Sequence, residues 1–134
     1  MGTQNPFVAV IISMTTIVAV NADKIRPKYN NLKEWINDEN NVYIGRHGRI
    51  FIMEDGEKKI FHYHRSKWHN PYIPDKDHTL DEVLDLYSQH LDEMLKDEST
   101  AREFLQLEGK NLGCWCKPNK CHGDVIIAKL NSLK

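Results

Sequence analysis

The residues best equipped for chemistry sit together near the C-terminus, in Leu112-Gly113-Cys114-Trp115-Cys116-Lys117-Pro118-Asn119-Lys120-Cys121-His122-Gly123-Asp124. All three cysteines of the chain fall within these positions. Cys114 and Cys116 are two apart, so on a strand they point to one side. Cys121, His122 and the backbone amides of Gly123 and Asp124 fall where that strand hands over to a helix. A helix N-terminus offers partial positive charge and free N–H groups to an anion, and it lowers the pKa of a nearby thiol. Three chemistries fit. Cys121 can act as a nucleophile with His122, Asp124 or a distant histidine assisting. The loop can be a ligand cradle in which Cys114, Cys116 and Gly123 pack beneath a substrate. Or Cys114, Cys116, Cys121 and His122 bind zinc, although the spacing lacks paired knuckles and an adjacent Cys-His pair shares one tetrahedral ion poorly. Against all three stands a buried turn whose cysteines are small apolar residues.

Two further groups could complete such a site. Gly45-Arg46 follows the apolar run Val42–Ile44, and an arginine at the C-terminal end of a strand sits where α/β sheets bind ligands. Its planar fork suits a phosphate or carboxylate. Arg65-Ser66-Lys67-Trp68-His69-Asn70-Pro71-Tyr72 mixes basic, aromatic and amide groups, as a loop touching a nucleotide would. Ser66, Trp68 and Asn70 are its candidates, and a plain packed connection is the competing reading. His62 and His64 share one face of a regular strand but make a poor metal site as a pair.

These groups need a scaffold. Thr15 to Asn21 reads as a β-branched core strand. Asn30 and Asn31 can cap a short helix over Leu32–Asp38. Asn41 to Arg46 holds a short strand. RIFIM (Arg49–Met53) and KKIFHY (Lys58–Tyr63) flank Glu54-Asp55-Gly56-Glu57, a strong hairpin signal. Leu80 to Lys96 carries a 3.6-residue apolar period behind a Thr79–Glu82 capping box. Leu84, Tyr87, Leu91 and Leu95 should face inward. Thr100 to Leu107 gives a second helix, with a box-like Thr100–Glu103 pair, ended by Gly109. A strand over Asn111–Cys114 and a helix over Asp124–Leu133 complete an alternation that predicts an α/β fold.

The 134 residues bound a single domain, 1–134, able to bury its own core. Its 18 basic and 19 acidic residues leave a net charge of −1, so nucleic acid could be held only through a local patch. Clustered, odd-numbered cysteines make a poor disulfide framework and point to a reducing compartment such as the cytoplasm. Met1 to Ala22 is uncharged. Its apolar stretch is short for a membrane span and lacks the basic start of a signal peptide, although Val20-Asn21-Ala22 resembles a cleavage site. Val8, Val10, Ile11 and Ile12 fit a buried strand, and Met14 is an alternative start that would make 1–13 an extension.

VAVN (Val18–Asn21), VYIGR (Val42–Arg46), SKWHNPY (Ser66–Tyr72), the Leu80 helix with Tyr87, and LGCWCKPNKCHGDVI (Leu112–Ile126) occur in this order. From about Met14 to Lys134 the chain thereby resembles the domain-of-unknown-function family 4326, small proteins of phages, large DNA viruses and bacteria. Two departures stand out. Members usually read Trp-Gly-Asn-Pro-Phe where this chain has Trp68-His69-Asn70-Pro71-Tyr72. They also pass directly from Gly-Arg to Ser-x-Trp, so the hairpin within 47–65 looks like an insertion beside Arg46.

The resemblance carries no agreed activity. Together with the spacing it implies a three-layer, Rossmann-like α/β domain with a mostly parallel sheet and an inserted β-hairpin, in the cytoplasm (the host's, if the chain is viral). Strand ends of a parallel sheet converge on one edge, so Arg46, Asn70 and Cys121–Asp124 are expected to line one cavity. The leading expectation is binding of a nucleotide or nucleoside, with action on its glycosidic or phosphate bond left open and no resident cofactor. The alternatives are a zinc-stabilised module that binds nucleic acid or a host protein, and a protein that sequesters a nucleotide without turnover.

Overall fold

A computed structural model describes residues 15–116 and 119–133. The elements run β1 (Thr16–Ala19), α1 (Ala22–Ile25), α2 (Leu32–Asn37), β2 (Asn41–Tyr43), β3 (Gly48–Glu54), β4 (Glu57–Tyr63), α3 (Leu80–Met94), α4 (Glu98–Leu105), β5 (Asn111–Cys114) and α5 (His122–Ser132). The expected strand around Val8 to Ile12 lies outside the described residues.

The sheet is parallel, in the order β1-β5-β2, with the last strand in sequence at its centre. Alternation along β5 divides the core. Leu112 and Cys114 join one buried cluster with Ile44, Trp68, Tyr87, Leu91, Phe104, Ile126 and Leu130. The other cluster contains Val20, Ile25, Leu32, Trp35 and Tyr43. Gly113 lies between those two β5 residues and faces Trp35. A Cβ there would collide with the Trp35 ring and come within 2.6 Å of Val20 Cγ1, so glycine lets α2 lie flat on the sheet. Helices on both faces of a parallel sheet make the expected α/β, three-layer arrangement.

β3 and β4 form a separate antiparallel hairpin. Asp55 (φ 56°) and Gly56 (φ 77°) make its two-residue turn, the left-handed pair that matches strand twist. Ile50 and Phe61 pack against the Trp35 cluster. The outward side chains Phe51, Met53 and Ile60 stay exposed.

α3 follows its sequence pattern. Thr79 and Glu82 form both bonds of the capping box, and Val83, Tyr87 and Leu91 are buried. Leu84 and Leu95 are half-buried, while Asp85, Gln89, Asp92 and Lys96 are exposed.

Three helix starts differ from expectation. In α2 only Asn31 caps, accepting from the Glu34 amide, whereas the Asn30 amide donates to the Glu34 carboxylate. α4 begins at Glu98, capped by Asp97, and Thr100 is a donor to that cap. α5 begins at His122 rather than Asp124, because the Cys121 thiol is itself the cap and the Asp124 carboxylate returns to the Cys121 amide. α1 carries no sequence signal: four residues with no side-chain cap.

Candidate functional site

β2 and β5 end side by side, and the chain beyond each turns outward at the C-terminal edge of the sheet. Gly45 and Arg46 follow β2, and Cys114, Trp115 and Cys116 close β5. With Asn70, Tyr72 and Pro74 from the long loop, Leu80, Val83 and Leu84 from the start of α3, and Lys120, Cys121 and His122 at the start of α5, they line a cleft of about 300 Å³. Of the expected set, Arg46, Asn70, Cys121 and His122 do share this cleft, whereas Gly123 and Asp124 do not line it.

Arg46 does more than face the cleft. Its Nε donates to the Asn70 carbonyl at 3.1 Å, and Nη2 donates to the Asn70 and Tyr72 carbonyls at 2.6 and 3.0 Å. Asn70 Oδ1 accepts from the Tyr72 amide at 2.9 Å. Arg46 and Asn70 both line the cleft, and Arg46 Nη1 and Asn70 Nδ2 make no hydrogen bond among the described residues. Gly45 is needed for closeness: a Cβ would meet the Tyr43 ring, with Cζ at 2.7 Å. Tyr43 donates to the Arg46 carbonyl and accepts from Trp115 Nε1. Burial pushes its phenol up to about 12.

The loop's other candidates serve the fold. Trp68 is buried against Phe104 with ring centroids 5.4 Å apart, and the Tyr87 hydroxyl donates to its carbonyl at 2.8 Å. Ser66 Oγ accepts from the Trp68 amide, and the Ser66 amide donates to the Gly45 carbonyl. Neither lines the cleft. Tyr72 and Lys120, which the motif reading passed over, do. Lys120 Nζ reaches Asp81 at 3.3 Å across the mouth.

On the cysteine side, Cys114 and Cys121 are buried and Cys116 is exposed, and none of the three is in a disulfide. Their sulfurs lie within 4.8 Å of one another, with Cys114 Sγ 3.3 Å from Cys121 Sγ. The expected lowering of the Cys121 pKa does not occur. The Cys114 thiol, then the Cys116 thiol, then burial push it up, and only the Gly123 N–H opposes them. Cys116 is raised too, chiefly by its contact with Cys114.

His122 is buried with Nε2 2.6 Å from the Ile44 carbonyl. A carbonyl only accepts, so Nε2 carries the proton. Burial lowers the imidazole pKa, which keeps the ring neutral. That geometry leaves Nδ1 as the lone-pair nitrogen of the ring, and of the expected zinc set only the three cysteine sulfurs lie within 4.8 Å of one another. The helix-start amides are also engaged: Gly123 N–H donates to Cys121 Sγ at 3.2 Å and Asp124 N–H to the Cys121 carbonyl at 2.9 Å. Gly123 is buried beneath the cleft and, like Asp124, does not line it. Among the described residues no helix is long and apolar enough to cross a membrane.

The family model described as Domain of unknown function (DUF4326) matches residues 28–132, and the chain belongs to that family. It is also 30% identical over 89 residues to the uncharacterized 12.4 kDa protein of the nrdA-td intergenic region of Enterobacteria phage T4, a match covering 64% of this chain and 82% of the phage protein. No solved structure matches the chain significantly.

Proposed function

We propose, for this member of DUF4326, that the strand-end cleft binds a mononucleotide-like ligand. One observation carries the reading: Arg46, Asn70 and Lys120 surround an apolar cavity at the C-terminal edge of a parallel sheet, where α/β proteins take ligands. A volume of about 300 Å³ is at the small end of ligand pockets, roughly 300–1,000 Å³, and suits one nucleotide better than two. Trp115 and Tyr72 supply aromatic faces for a base. Arg46 Nη1, Asn70 Nδ2 and Lys120 Nζ supply donors for a phosphate.

The test is thermal denaturation with nucleoside monophosphates, the matching nucleosides and inorganic phosphate. Ligand at about 100 times its Kd should stabilise the fold by about 2.7 kcal/mol. Lys120→Ala should weaken the phosphorylated ligands more than the nucleosides. No shift with any nucleotide at millimolar concentration would overturn the reading. Chromatography of the recovered ligand separates turnover at the glycosidic or phosphate bond from sequestration without product.

A further inference from the structure

The three-cysteine cluster is arranged in a way that packing does not explain. Cys114 ends the central strand and Cys121 caps α5, so both have reasons to be buried small residues. Cys116 has none: it is exposed, yet its sulfur stays within 4.8 Å of the other two. One exposed and two buried thiols thus meet at a single point on the cleft lining. A tetrahedral ion with metal–sulfur bonds of about 2.3 Å sets its sulfurs about 3.8 Å apart. The 3.3 Å pair and the 4.8 Å limit bracket that spacing.

We propose that Cys114, Cys116 and Cys121 bind one soft divalent cation of the zinc class, with a fourth coordination position facing the cleft. Thiolates select zinc-like ions over magnesium or calcium. His122 is outside the cluster: the ligating atoms that lie within 4.8 Å of one another are the three sulfurs, and its Nε2 is engaged by the Ile44 carbonyl. Lys117 and Pro118 carry no thiol, imidazole or carboxylate. Three protein ligands with one exchangeable position is the arrangement of reactive rather than purely structural zinc sites. The Gly123 N–H on Cys121 Sγ is the outer-shell bond such a sulfur uses to hold its orientation. Three thiolates and a divalent ion sum to −1, and Arg46 and Lys120 stand on the same lining to offset it. The exchangeable position would take water or an oxygen of an anionic group such as phosphate. The ion's binding is independent of the nucleotide reading; only the identity of its fourth ligand rests on it.

The decisive experiment titrates cobalt into the full chain, reduced and stripped of metal by a chelator. One cobalt per chain should bind with a thiolate-to-cobalt charge-transfer band and visible bands of four-coordinate cobalt, and zinc should displace it. Cys116→Ser, at an exposed position that should not disturb folding, should lose about a third of the charge-transfer intensity and bind cobalt at least about tenfold more weakly. Inorganic phosphate should shift the visible bands, which reads the fourth position without any nucleotide. Absence of the charge-transfer band in folded protein would overturn the site, as would an unchanged band in Cys116→Ser. Recovery of a Cys114–Cys121 disulfide from cells after thiol trapping would overturn it as well. A cobalt site insensitive to phosphate would overturn the exchangeable position alone. Thermal shifts with nucleotides on metal-free protein report on the cleft separately, so the two readings fail distinguishably.

Discussion

On the Arg46–Tyr72 side of the cleft, most polar groups are engaged in holding the chain. Arg46 clamps two carbonyls, Asn70 turns its own loop, Ser66 holds Trp68, and Tyr87 holds the Trp68 carbonyl. On the Cys114–Cys121 side, three thiols converge and one of them is exposed with no apparent packing role. The first wall is built by directed hydrogen bonds over a buried tryptophan; the second presents groups that the fold uses only in part. Mutations should therefore separate the walls: stability should respond on the first and chemistry on the second.

The largest effect should come from Trp68→Ala. It removes a buried aromatic from beneath the loop and leaves a cavity against Phe104, at a cost of about 3–5 kcal/mol. Denaturant unfolding measures this. A loss below about 1 kcal/mol would show that the loop is peripheral and that the two walls do not differ.

His122 joins the walls, reaching from the start of α5 to the carbonyl after β2. Its folded pKa lies below the ordinary 6.5 because burial disfavours the charged ring. The unfolded chain therefore takes up a proton that the folded chain refuses. Stability from this group is complete above about pH 6.5 and falls as the pH drops from there toward the folded value. The melting temperature should decline over that window, and His122→Asn should flatten the decline while lowering stability throughout. An equally steep decline in the variant would assign it to other groups.

A smaller effect is expected from Arg46→Lys. Lysine keeps the charge but cannot fork to two carbonyls. The loss should be about 1 kcal/mol, the usual net value of such bonds. Faster hydrogen exchange at the Tyr72 amide, which the Asn70 turn protects, should accompany it. Unchanged exchange would mean that the loop holds without the clamp.

How far the sequence reveals each wall follows from how local its signals are. The α3 helix, the Asp55-Gly56 hairpin and the strand-to-helix handover at Cys114–Cys121 are written in neighbouring residues, through period, turn chemistry and cap. The meeting of Arg46, Asn70 and Cys121 is legible because a parallel sheet gathers its strand ends. Trp68 is not: an aromatic in a loop without periodicity reads equally as ligand contact or core, and the Phe104 that buries it is remote in sequence. Thr100 looks like a cap, but Asp97, equally suited, stands one turn earlier and wins by accepting from both the amide and the hydroxyl of Thr100. The rise in the Cys121 pKa comes from two other thiols, which no helix-start rule anticipates.

The smallest stability effect, and the sharpest contrast, belongs to Cys116→Ser. The residue is exposed and adds little packing, so in metal-free protein the change should stay within about 0.5 kcal/mol, as for most surface positions. If the proposed ion binds the preformed cluster more tightly than the same three thiols in the unfolded chain, it should raise the melting temperature of the parent protein. The variant, with two thiolates left, should show only a small part of that rise. Melting curves with and without chelator, on both proteins, give four numbers and one difference of differences. A loss above about 1 kcal/mol in metal-free Cys116→Ser would place Cys116 among the builders, like Trp68, and erase the contrast. An equal zinc-induced rise in both proteins would leave the contrast in stability standing but would remove the ion from the second wall.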